Sequence, residues 1–293
     1  MRAMVDKPEA AAGRRAPAAV RRLAAALLFL LGPALLLAAG GCTAPDGTAG
    51  RLVELEPEPA LASPAPPPPL PEGRYAAVVV VAGSDEQVVF DNARRAFAER
   101  LREASAIPLV TTMLSAAPRP GEGRAEASVL PATLREIDAA FARTAPGAAA
   151  CVLFATSHGI PRGGLALTRR KELLTPAFLD RTLGRRCAGK PTVAIVSGCY
   201  SGVFADAPMA RDDRIVLTAA ARDRPSFGCS NDLTYTYFDE ALLRLLPKAS
   251  SWDRLHEELK AAVAARERRL EVAPSRPQAS FGSAVPRGEL LGG

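Results

Sequence analysis

Two unbroken apolar runs limit what this chain can fold into: 151–154 (CVLF) and 193–196 (VAIV). Neither alternates with polar residues, so each reads as a strand covered on both faces. Strands of that kind belong to parallel sheets with helices on either side. Both runs end in small and polar residues, Ala155-Thr156-Ser157-His158-Gly159 after the first and Ser197-Gly198-Cys199-Tyr200-Ser201-Gly202 after the second. An imidazole and a thiol therefore stand at the same end of two strands, where α/β sheets place their chemistry. The chain holds 2 histidines, so a Cys/His pair has few ways to form.

The rest of the chain from 75 onward keeps the alternation. Strand patterns fall at 75–82, 107–114, 149–156, 192–197 and 214–219. Helical spacing falls at 91–104, 133–143, 176–183, 233–246 and 252–270, and 118–128 is a Pro/Gly-rich loop. Strands alternating with helices predict an α/β fold, a three-layer α/β/α sandwich with a mostly parallel sheet. One domain is expected over 74–286, with a tail at 287–293.

The N-terminal part reads differently. Residues 1–22 carry Arg2, Lys7, Arg14, Arg15, Arg21 and Arg22 against Asp6 and Glu9, a net +4 of the chain's formal +6. No basic patch with interleaved aromatics remains elsewhere, which excludes a nucleic-acid partner. An apolar run at 23–37 and the small residues Ala38-Ala39-Gly40-Gly41 follow, the pattern of a secretory signal over 1–41. The Gly41-Cys42 junction resembles the bacterial lipobox, with Ala39 where Leu is usual. Lipidation of Cys42 places the domain at the bacterial cell envelope, on the extracytoplasmic side of a membrane. A plain cleaved signal and an uncleaved anchor are the alternatives. Residues 42–73 include nine of the 26 prolines and read as a tether, either stiffened as polyproline II or disordered.

A thiol attacks carbonyls only as its thiolate, so it needs a nearby base and donors for the developing oxyanion. Cys199 and His158 fit these needs, and small neighbours let a substrate backbone approach. The competing reading is a buried Cys and a hydrogen-bonded His at two strand ends. His256 reads as a surface or half-buried residue of an amphipathic helix, and Cys151 as core packing. A Cys187–Cys229 disulfide is one option for an oxidising compartment. The Cys and His spacings fit no zinc module, and no serine-hydrolase elbow is present.

These residues resemble the caspase/legumain clan of cysteine peptidases, and within it the short bacterial relatives of the legumain-like asparaginyl endopeptidases. Val81-Ala82-Gly83-Ser84 resembles the legumain first-strand exit. Ser157-His158-Gly159 resembles its His-Gly motif, Cys199-Tyr200-Ser201-Gly202 its Cys-x-Ser-Gly motif, and 218–229 a segment lining its specificity pocket. The resemblance implies a caspase-like domain with Cys199 as nucleophile and His158 as base, and an oxyanion hole from the N–H groups of Gly159 and Cys199. It places Asp85 where legumains carry an Asn, either orienting His158 or as a solvated loop residue. Ser197 stands where the family has an acidic residue, and Gly198 where it has Ala. Ser226 matches a pocket serine, and Asp239 or Glu240 falls near the pocket acid, the alternative being an exposed helix face. No metal or cofactor is implied. The expected function is a cysteine endopeptidase acting on peptide or protein substrates. The alternatives are a transpeptidase and a non-catalytic peptide-binding lipoprotein.

Overall fold

The computed structural model describes residues 70–118, 129–161 and 163–292. The signal segment, Cys42, most of the tether and the centre of the Pro/Gly-rich loop lie outside the described residues. Along the chain run β1 (Ala76–Ala82), α1 (Val88–Ala104), β2 (Leu109–Ser115), β3 (Leu130–Pro131), α2 (Leu134–Thr144) and β4 (Ala150–Thr156). Then come β5 (Gly159–Ile160), β6 (Gly164–Leu167), β7 (Glu172–Leu174), α3 (Pro176–Arg186) and β8 (Thr192–Ser197). The last elements are β9 (Arg214–Thr218), α4 (Tyr237–Leu245), α5 (Trp252–Arg269) and β10 (Gln278–Phe281).

The main sheet has seven strands in the order β10-β9-β8-β4-β1-β2-β3. All its neighbours pair in parallel except β10, which runs antiparallel to β9. Every residue of β1, β4 and β8 is buried, as their apolar runs predict. Successive side chains point to opposite faces. Ala76, Val78 and Val80 meet Phe97 of α1, Leu242 of α4 and Leu259 of α5. Ala77, Val79 and Val81 meet Phe141 of α2 and Leu183 of α3. The expected three layers are therefore α1, α4 and α5 on one side, the sheet, and α2 and α3 on the other. Each of the four fully buried valines of β1 contributes roughly 1.5–3 kcal/mol of hydrophobic stabilisation.

Two expectations change. Cys187 does not pair with Cys229. It closes a disulfide with Cys151, with 6.2 Å between Cα atoms. Cys151 faces the α2/α3 layer within β4, and Cys187 caps the C-terminus of α3, so the strand and the helix end meet at that point. Residues 287–292 are not a separate tail. Leu290 and Leu291 pack into the core, Gly292 N–H donates to the Ala104 carbonyl at 2.9 Å, and the Trp252 indole donates to the Glu289 carbonyl at 2.8 Å. The short antiparallel sheet β5-β6-β7, absent from the sequence reading, branches off immediately after His158.

Candidate active site

β4 and β8 are parallel neighbours whose register matches Thr156 with Ser197. His158 and Cys199 therefore each stand two residues beyond one paired position. The two exits also touch backbone to backbone. Ser157 N–H donates to the Ser197 carbonyl at 3.1 Å. A methyl group at Gly159 would lie 1.6 Å from the Cys199 carbonyl oxygen, and one at Gly198 would lie 2.6 Å from that of Ser157. The motif glycines are thus required first for contact between the two loops. Both His158 and Cys199 remain partly exposed, so a solvent-borne chain can reach them.

The loop carrying the thiol is held by its own motif. Tyr200 adopts a left-handed conformation, φ 57°, and its N–H donates to the Arg224 carbonyl at 2.8 Å. The buried Ser201 Oγ accepts the N–H groups of Ala219 and Ala220 at 3.1 and 3.2 Å. That anchors the turn after Cys199 to the end of β9. At Gly202 a methyl group would meet the Arg222 nitrogen at 2.4 Å, so no other residue fits there without displacing the next segment.

Ser226 sits on the sulfur itself. Its N–H donates to Cys199 Sγ at 3.3 Å, and its hydroxyl lies 3.9 Å away. The thiol in turn contacts the Ser226 carbonyl at 3.4 Å. Asp239 is fully buried below the strand exits and accepts the Thr156 hydroxyl at 2.9 Å, while its other carboxylate oxygen has no partner. Burial raises this acid above its ordinary value, opposed by the nearby Ser197, Thr156 and Thr236 hydroxyls. Ser197, buried too, thus belongs to the same polar group. Half-buried Cys229 completes it. Burial, with Cys199 and Asp239 nearby, pushes that thiol up to about 12.

Two candidate residues are placed elsewhere. Glu240 is on the outer side of α4, ion-paired with Arg266, in a surface groove between α4 and α5 that contains no motif residue. Asp85 turns to the segment after β6, where it accepts the Thr168 hydroxyl at 2.9 Å. The carboxylate beside the imidazole belongs instead to Glu86, whose Oε2 is 3.2 Å from His158 Nε2. The Phe90 ring meets the imidazole edge-on at 5.0 Å. Sequence reading missed both, because it began α1 at Asp91 and left Glu86 unassigned. His256 is buried on α5 against Phe281, and burial lowers it to about 4.

A thiol and an imidazole on adjacent exits of a parallel sheet define the class of hydrolases that work through a cysteine. The model of the Peptidase C13 family matches residues 149–268, the stretch that holds both motifs. It bears out the resemblance to the legumain-like peptidases, and family and site together support a cysteine peptidase, whose substrates are peptides or proteins. Among solved structures the chain is similar to caspase-1 from Spodoptera frugiperda. The two are 14% identical, with a TM-score of 0.49, over 71% of this chain and 86% of that one. No curated protein matches the sequence.

Proposed function

We propose that this chain is a legumain-like cysteine endopeptidase, with Cys199 as nucleophile and His158 as its acid–base partner. The observation that carries the proposal is the contact of the two motif loops, which brings the exits of β4 and β8 together at the C-terminal end of the sheet. His158 takes the thiol proton, and the thiolate attacks the peptide carbonyl. The imidazolium then protonates the departing amine, leaving a thioester that water hydrolyses. By the family resemblance, the N–H groups of Gly159 and Cys199 receive the oxyanion.

The preference for a neutral amide side chain at the cleavage position rests on the family resemblance, since Asp239 and Ser197 lie buried beneath the strand exits. We further propose export, with Cys42 carrying a lipid that holds the domain at the envelope membrane. The Cys151–Cys187 disulfide supports a compartment outside the reducing cytoplasm.

The test is labelling of the purified protein by thiol-reactive peptide probes ending in Asn, Asp, Lys or Arg. Labelling fastest with Asn, and lost in both Cys199→Ala and His158→Ala, is expected. Equal reactivity of Cys199 and Cys229 toward every probe would leave a peptide-binding protein instead. For the anchor, fatty-acid incorporation in cells must vanish in Cys42→Ala.

A further inference from the structure

Building on the catalytic reading above, we propose that Glu86 is the positioning residue of His158, holding Nε2 as the protonated nitrogen and leaving the Nδ1 lone pair for Cys199. Imidazole has two nitrogens, and the hydrogen bond made by one decides the protonation of the other. Among the described residues, Glu86 supplies the one carboxylate within ion-pair range of His158, 3.2 Å from Nε2. Nε2 is itself buried and makes no hydrogen bond. The carboxylate lies off the N–H axis. The Glu86 side chain is 61% exposed, free to swing into line as the imidazole becomes charged, and catalytic hydrogen bonds commonly tighten in this way on substrate binding.

The backbone under Glu86 is fixed on every side. Gly83 N–H donates to the Thr156 carbonyl at 2.9 Å, and Thr168 N–H donates to the Gly83 carbonyl at 2.8 Å. Glu86 N–H donates to the buried Ser84 hydroxyl at 3.2 Å. Val88 N–H donates to Asn231 Oδ1 at 3.1 Å. From the same segment Phe90 meets the imidazole ring. Of the other titratable groups around the site, Asp85 is turned to Thr168, Asp239 is enclosed beneath Thr156, and Cys229 stays a neutral thiol. Glu86 is thus the group placed to balance positive charge on His158.

The chain's 2 histidines make the test direct. Protein labelled with 15N in histidine is assigned with His256→Gln, and the tautomer of His158 is read from its ring nitrogens. The Nε2–H form is expected in wild type and Glu86→Gln, with the Nδ1–H form growing in Glu86→Ala. Turnover of an amide-ending peptide should fall roughly three- to tenfold in kcat for Glu86→Ala, with KM unchanged and partial recovery in Glu86→Gln. Melting temperature should not move, since an exposed ion pair adds little stability. An Nδ1–H wild type, or a tautomer indifferent to Glu86→Ala, overturns the proposal. Wild-type protein with no turnover at all would instead sink the peptidase reading, while the ring-nitrogen spectra still decide the role of Glu86.

Discussion

Gly159 is the residue with the least freedom in the site, because its missing side chain is where the Cys199 carbonyl lies. Gly159→Ala must push the two loops apart by an ångström or more. Displacements of that size cost about 100-fold in rate, so kcat/KM on a peptide substrate should fall by at least that factor. Asp239 makes a different prediction. Its folded-state value is raised, so the folded chain keeps a proton that the unfolded chain loses near 3.8. Its contribution to stability is therefore intact in acid and is lost as pH climbs through the folded value. Asp239→Asn should raise stability at pH 8 by about 1 kcal/mol or more, with little effect at low pH, as read by thermal melts. His256 has the opposite sign: lowered to about 4 from 6.5, it makes stability fall as pH drops through that interval. Melts of His256→Gln should lose that acid slope.

At the scale of elements, the short turn after Cys199 depends on one hydroxyl. Ser201→Ala leaves the buried N–H groups of Ala219 and Ala220 without their acceptor. A cost of about 1–3 kcal/mol is expected in chemical denaturation, with slower labelling of Cys199. Sequence made the long strands and helices legible because their apolar spacing is unambiguous. It missed β3, β5, β6, β7 and β10, whose two to four residues are too few for a period to show. It also started α1 three residues late. The N–H of Val88 is satisfied by Asn231, 143 residues away, and no local pattern announces such a cap. Asp85 drew attention through the family resemblance, which says nothing of Glu86 one residue further on. The pair His158/Cys199 was legible because each ends an apolar run. The Asp239 environment was not, because its burial comes from tertiary packing beneath two strands.

Across the whole molecule, the Cys151–Cys187 bond spans 36 residues that include β4, the His158 loop and the small sheet. Removing it with Cys151→Ala/Cys187→Ala frees that loop in the unfolded chain. About 3–4 kcal/mol and roughly 10 °C in melting temperature should be lost, and reductant should reproduce the shift in wild type. Cys151 looked like core packing in the sequence because it begins an apolar run. The alternation that turns it toward α3 needs the partner helix to be seen. The placement of 287–292 was likewise hidden, since Leu290 and Leu291 are too short a patch to signal docking.

The register of β4 and β8 has one more consequence. His158 and Cys199 stand at equal distances past the pair Thr156 and Ser197. One residue inserted into either exit alone would shift its side chain by about 3.3 Å, beyond any contact between sulfur and imidazole. The same insertion made in both exits would carry the two groups outward together. Lineages and designers can therefore move this reaction centre up or down the sheet, provided that the difference between the two arms stays zero.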